Sequence, residues 1–457
     1  MLSRCRDWLR NRNTSRKGAT RRVLSNTMQK FDVVIVGGGL AGLACATELA
    51  KHHVDFRLLE ATDRVGGRLR TDVVDGYHLD HGFQVLLTAY PACQQLLNYD
   101  ALQLRRFEPG AIVRVQDRFA TLSDPWTHPE RLLQTAFAPV GTLADKLRIL
   151  SLRLRACAGS LDDLYARPQT TTLERLREIG FSEAMIDDFF RPWFGGVFLE
   201  RELATSSRML EFVFRMFATG YAAVPALGMQ QIPLQLADRL PASTVQLHAT
   251  VESVETHQDP SRNEQVLRLT DGSSIACSQL VIATEFNAAH RLLKDSSAGA
   301  AVAGLPADWN SVTNLYFTAD VAPISEPLLV LAGAKQVGPI NNLAVLSNVA
   351  PEYAPPGKAL ISVSVIGRSS APWELESTVR AQLRDWYGAS VDDWQLLRIY
   401  DIPYALPSQA VSELEPVVRL PQHNGVVICG DHCETRSIQG ALHSGLAAAE
   451  SLRKAAV

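Results

Sequence analysis

The sequence predicts an α/β fold. One domain forms around a parallel sheet built from separated stretches of chain, and an α+β domain is interleaved between them. Three observations predict it. A short apolar strand, a glycine-rich turn and a helix open the patterned part of the chain near residue 31. Another apolar strand and helix close it, at Gly425–Cys429 and Gly440–Lys454. Between them, a helix-rich block and a strand-rich block flank strand signals at 244–283, so neither domain is contiguous. With 457 residues, 46% of them hydrophobic, the chain exceeds what one core serves, and two or three domains are expected.

Residues 1–30 stand apart from this pattern. Arg4, Arg6, Arg10, Arg12, Arg16, Lys17, Arg21 and Arg22 are set against a single acid, Asp7, with no apolar stretch to make a secretory signal. Such a basic segment with Ser and Thr suits an organellar transit peptide. It suits equally an arm upstream of the true start, since Met28 directly precedes the first strand. The expected location is cytoplasmic or organellar, soluble or peripheral to a membrane. The net charge of −3 and the lack of a basic patch interleaved with aromatics argue against nucleic acid as a partner. The seven cysteines are dispersed; only Cys429 and Cys433 lie close, without the second pair a zinc site needs. They read as reduced, buried thiols, and no metal is expected. No apolar run is long enough to span a bilayer.

In chain order, Phe31–Val36 is a continuous β-branched run and reads as a buried parallel strand. Leu43–Lys51 has helical character and 55–60 is a second strand, an ordinary βαβ opening. Residues 122–191 read as helices punctuated by Pro125, Pro129, Pro139 and Pro168, among them Leu143–Ala156. Helical patterning continues over Arg201–Thr219 and Ile232–Leu240. Thr244–Val254 alternates as a strand, and Gln265–Thr270 and Ser274–Cys277 form a hairpin about Asp271-Gly272. Leu280–Ala283 is a further buried strand. Strand candidates follow at Leu315–Ala319, Leu328–Ala332, Leu343–Ser347 and Leu360–Ile366, then a helix at Thr378–Tyr387 and an extended segment at Leu396–Ile402.

The chemistry lies in the first turn. Gly37-Gly38-Gly39-Leu40-Ala41-Gly42 is a G-x-G-x-x-G between strand and helix. Gly37 permits the tight turn, Gly39 lets backbone approach a pyrophosphate, and Gly42 lets the helix pack closely. The amides around Leu40 and Ala41 open a helix whose dipole favours phosphate. Glu60, at the end of the second strand, is placed for adenosine ribose hydroxyls and would repel a 2′-phosphate. Arg64, Gly66, Gly67 and Arg68 then place a glycine doublet and guanidinium forks against the pyrophosphate or the flavin. This second loop selects FAD over NAD, so the opening domain reads as Rossmann-type and FAD-binding.

These motifs resemble the FAD-dependent amine oxidase superfamily, which also holds protoporphyrinogen oxidases and phytoene desaturases. "VVIVGGGLAGLACATELA…RLLEATDRVGGRLRT" resembles its opening, and "GVVICGDHCETRSIQGALHSGLAAAESL" its closing motif. The resemblance implies that Gly430 and Asp431 meet the phosphate–ribityl chain. It places Ser437, Ile438, Gln439, Gly440 and Ala441 near the isoalloxazine ring, and puts the strand near Val251 against the adenine. It also implies an FAD-binding domain from 31–84, 228–295 and 415–457, and a substrate domain from 85–227 and 296–414. The closing motif is more similar to the phytoene desaturase-like branch. Amine oxidases place a cage tyrosine where this chain has Ser437, and "RIYDIPYALPSQ" lacks a cysteine, so non-covalent FAD is expected.

The implied reaction is hydride transfer from a small hydrophobic substrate, polyene, isoprenoid or porphyrinogen-like, to flavin N5. The alternatives are an amine or amino-acid oxidase producing hydrogen peroxide and a non-redox flavin-dependent isomerase. A hydrocarbon substrate calls for no conventional base, and no catalytic residue is assigned. Lys294 and Lys335 fit solvated surface, His432 and His443 lie in or beside the closing motif, and His81 is a pocket candidate beside the arginine loop. Leu143–Ala156, with Lys146, Arg148, Arg153 and Arg155, fits either a packed amphipathic helix or a peripheral membrane contact.

Overall fold

A computed structural model describes residues 28–256, 264–296, 308–369, 371–409 and 422–455, with Ala298, Gly299, Val302 and Val411 between them. Residues 1–27, most of the basic head, lie outside these. The first sheet begins with β1 (Gln29–Val36), α1 (Leu40–Lys51) and β2 (Phe56–Leu59). It is completed by β3 (Val245–Gln246), β4 (Val251–Thr256), β5 (Gln265–Leu269), β6 (Ser274–Ile282), β7 (Gln422–His423) and β8 (Val426–Ile428). The order is β3-β2-β1-β6-β5-β4, with β8 on β6 and β7 on β8. β1 pairs in parallel with β2 and β6. The long β6 forks: its first half pairs antiparallel with β5, its second half parallel with β8. β1 is apolar on both faces because both are covered. Val33 and Ile35 join the core that contains Leu43 and Leu49 of α1, whereas Val34 and Val36 join one with Phe286 and Leu293. The C-terminal helix Ile438–Ala455 packs along α1, so the first and last helices cover one face together.

Seven strands form the second sheet, ordered Gln395–Pro407, Trp309–Ala319, Ala359–Ile366, Asn342–Val345, Leu329–Ala332, Gly110–Val115 and Arg118–Ser123. Leu315, Phe317, Ile361 and Val363 face helix Pro372–Tyr387, packing on its Leu375, Val379 and Leu383. The opposite face carries Asn314, Ser362 and Ser364, which hydrogen-bond one another. Helices between residues 129 and 219 form the remaining layer, centred on buried Phe190, Phe194 and Phe198. Among the described residues no helix is long and apolar enough to cross a membrane.

Several element expectations need correction. Thr244–Val254 is two strands, because His248 adopts φ +55° and breaks the ladder. The strands expected at Ser274–Cys277 and Leu280–Ala283 are one strand, β6. The helix expected from Arg201 begins at Ser207, since Leu203 sits at φ +56° and Ser206 caps the start. The hairpins Thr71–Val74/Tyr77–Asp80 and Gly110–Val115/Arg118–Ser123 were not anticipated.

Candidate active site

The chain leaves β1 at Gly37, whose φ is +111° and where a Cβ would lie 2.8 Å from the Ala283 carbonyl oxygen, so a side chain has no room. A Cβ on Gly42 would lie 2.0 Å from the Gly37 oxygen, so α1 is pressed onto the turn. Gly39 differs: a Cβ there would meet nothing nearer than the Gly67 Cα at 4.0 Å. Its backbone therefore borders open space at the start of a helix, where the first amides have no intrahelical partner. Gly66 donates its N–H to the Gly38 carbonyl at 2.8 Å, so the two glycine turns form one wall.

Glu60 is buried and does more than was expected. One carboxylate oxygen accepts the Gly38 N–H at 2.8 Å; the other accepts the Thr62 N–H and hydroxyl at 2.9 and 2.7 Å. It holds the turn in shape and still lines the cavity with spare lone-pair capacity. Val251 lines the same region because 247–250 crosses the end of β2, with the Ala249 N–H on the Glu60 carbonyl.

Arg68 joins the two ends of the chain. It pairs with Asp431 at 2.5 Å, donates to the Ala405 carbonyl at 3.1 Å and lies over the Trp309 ring. Burial raises the Asp431 pKa, but Arg68, His432 and Arg436 together hold it below the ordinary carboxylate range. His432 lies against the cavity with both ring nitrogens buried and without a hydrogen bond, Nδ1 4.0 Å from the Asp431 carboxylate, and burial pushes its pKa down to about 4. Gly430, Asp431, Ser437, Ile438 and Ala441 line the cavity opposite the first turn.

Four of the expected residues do not line the cavity. Arg64 pairs with Asp72 at 2.8 Å, Gln439 accepts the Ala92 N–H, and Gly42 and Gly440 pack on the carbonyls of Gly37 and Thr435. Lys294 and Lys335 are off the cavity, and His443 pairs with Glu434 at the surface. His81 is on the wall. Its Nε2 lies 2.9 Å from Asp72, whose carboxylate also accepts the Tyr400 hydroxyl at 2.8 Å. Burial lowers the His81 pKa more than Asp72 raises it, favouring a neutral ring. Sequence reasoning missed Asp72 and Tyr400, which meet only when the hairpin at 71–80 packs on strand Gln395–Pro407.

The cavity measures about 1440 Å³. Away from the glycine turns it becomes a chamber between helices Arg191–Phe198 and Ser207–Thr219, walled by Trp193, Val197, Met209, Val213, Phe214 and Phe217. The donor set fits an FAD: an open backbone cradle at Gly39, a ribose-ready carboxylate at Glu60 and an unsatisfied buried imidazole at His432.

The chain matches the flavin containing amine oxidoreductases over residues 40–453. The flavin-containing amine oxidase A of Canis lupus familiaris is 49% identical over 63 residues, 14% of this chain and 12% of that protein. The carotenoid phi-ring synthase of Streptomyces griseus is 31% identical over 208 residues, 39% of this chain and 37% of that one. These matched stretches span well under two thirds of either relative. The solved cyclohexylamine oxidase of Brevibacterium oxydans shares the fold, with a TM-score of 0.68 over 93% of this chain and 99% of that chain at 16% identity. The chain belongs to the flavin containing amine oxidoreductase family.

Proposed function

We propose that this chain is an FAD-dependent oxidoreductase that takes a hydride from a hydrophobic substrate of polyene, isoprenoid or porphyrinogen type. One observation carries the reading: a single cavity joins the glycine turns to a chamber walled by the aromatic and aliphatic side chains of Trp193, Val197, Val213, Phe214 and Phe217. Its volume of about 1440 Å³ exceeds that of ordinary small-molecule pockets, roughly 300–1,000 Å³, and leaves space for a substrate beside a dinucleotide. Bound flavin supplies a hydride acceptor at N5.

The chain's own residues bind, orient and move protons. The amides and dipole of α1 meet phosphate, Glu60 receives ribose hydroxyls, and the start of helix Ile438–Ala455 favours negative charge on the ring edge. A substrate carbon that has lost hydride must next lose a proton. His81, on the cavity wall with its Nε2 2.9 Å from the Asp72 carboxylate, is the side chain placed to accept that proton. No cysteine lines the cavity among the described residues, which supports non-covalent FAD.

The amine oxidases among the relatives favour a second reading, oxidation of an amine with release of peroxide. Anaerobic mixing with amines, porphyrinogens and carotenoid precursors separates the two. Bleaching of the flavin by a polyene or porphyrinogen is expected; bleaching by amines alone would replace the first reading with the second. A product of unchanged mass would instead identify an isomerase.

A further inference from the structure

We propose that Asn342 and Ser364 form a polar floor in the chamber and select substrates that carry a neutral hydroxyl or carbonyl group on an otherwise apolar body. The inference rests on the chamber being the substrate site and narrows the class of substrate it takes. The floor belongs to a row that runs straight across the second sheet. Tyr400 pairs with Asn314, Asn314 with Ser364, and Ser364 with Asn342, on adjacent strands. Directly paired residues share a face, so these side chains stand side by side. Tyr400, Ser364 and Asn342 line the cavity. Asn314, Asn342 and Ser364 are all buried, where an amide or hydroxyl is costly unless hydrogen-bonded.

The hydrogen bonds of the row run one way. Asn341 Nδ2 donates to Asn342 Oδ1 at 2.9 Å, Asn342 Nδ2 to Ser364 Oγ at 3.3 Å, and Ser364 Oγ to Asn314 Oδ1 at 3.1 Å. Asn341 Nδ2 also donates to the Pro192 carbonyl at 2.9 Å. Gly196 lets helix Arg191–Phe198 close over this pair, since a Cβ there would lie 3.0 Å from Asn342 Oδ1. The same helix carries Trp193 and Val197, so Asn342 is held at the foot of the chamber wall.

The row is incomplete where it meets the cavity. Asn342 Nδ2 has a second hydrogen, and Ser364 Oγ a second lone pair, with no hydrogen-bond partner among the described residues. A hydrocarbon in the chamber leaves both unsatisfied. A substrate hydroxyl or carbonyl oxygen accepts from Asn342, and a hydroxyl also donates to Ser364. An ionised group is not served, because the row holds no charged side chain and a buried, unpaired charge costs far more than these hydrogen bonds return.

The test is calorimetric titration of the flavin-loaded full chain with three probes of one isoprenoid skeleton: the hydrocarbon myrcene, the alcohol geraniol and the carboxylate geranate. Geraniol is expected to bind at least about tenfold tighter than either of the others. Ser364→Ala and Asn342→Leu should each cut the preference for geraniol over myrcene about fivefold or more, and Ser364→Thr, which keeps the hydroxyl, should retain it. Ser364→Ala leaves Asn314 Oδ1 its hydrogen bond from the Ser362 hydroxyl, so flavin content and melting temperature should stay at parent values. It is the deciding variant should Asn342→Leu melt early. Equal affinities for geraniol and myrcene, tighter binding of geranate, or a preference untouched by Ser364→Ala would overturn the polar floor and leave the chamber as a site for hydrophobic molecules. Failure of all three probes to bind would remove the chamber as the substrate site, and the proposal with it.

Discussion

Replacing Gly39 with valine separates the holding of a dinucleotide from the holding of the fold. Gly39 has φ −74° and ψ −177°, a conformation open to any residue, and a Cβ there points into space that ends 4.0 Å away at Gly67. The apoprotein should therefore lose only about 1 kcal/mol, the scale of a poorer helix cap. The same isopropyl group stands where the phosphates must approach the first-turn amides. Losing one or two charge-assisted hydrogen bonds costs about 3 kcal/mol, roughly a hundredfold in Kd. Gly42→Ala is the converse control. Its methyl would sit 2.0 Å from the Gly37 oxygen, so α1 must shift at a cost of about 1–3 kcal/mol or more in stability. Titrating FAD into each apoprotein and melting each one reads both quantities. Wild-type FAD affinity in Gly39→Val, or a Gly39→Val apoprotein that melts lower than Gly42→Ala, would refute the reasoning.

Other perturbations have signs fixed by the same structure. Glu60→Ala should weaken FAD and also lower apoprotein stability by about 1–3 kcal/mol, because the Gly38 and Thr62 donors lose their acceptor; a melt without FAD checks this. Asp80 is buried, and burial raises its pKa from 3.8 to about 6 against the hydrogen bonds from Thr71, Met229 and Tyr353. A folded-state pKa above the unfolded one gives stability that is present below pH 4 and lost as pH rises through 6. Asp80→Asn should therefore gain on the parent by about 3 kcal/mol between pH 4 and 7, measured by denaturant unfolding at both ends; a constant difference would contradict this. Asp72→Asn removes the charge that raises the His81 pKa, so His81 should titrate still lower in an NMR pH series.

What the sequence revealed was local. The turn Gly37–Gly42, the acid at Glu60 and the strands of the first sheet follow from spacings within a few dozen residues, and the structure brings Gly37, Gly39, Leu40, Ala41 and Glu60 to one cavity. The contacts that close the site are distant in sequence. Arg68 meets Asp431 across 363 residues, and Tyr400 meets Asp72 across 328. No propensity or period reports such pairs. The hairpin at 71–80 escaped notice because its strands are four residues long, although Asp75 and Gly76 mark its turn. Helix Leu143–Cys157 is legible as amphipathic, but a 3.6-residue period looks alike whether its leucines face core or solvent. Only the buried Leu152, Ala156 and Arg155–Glu211 contacts decide that the leucines face out.

One FAD should lie between the Gly39 turn and the start of helix Ile438–Ala455, which a crystal structure of the flavin-loaded chain would show. The pyrophosphate is expected on the first-turn amides near Gly39 and Leu40, the ribose at Glu60 and the isoalloxazine beside Ile438 and Ala441. Flavin density anywhere else, or a cavity that stays empty at saturating FAD, would contradict it.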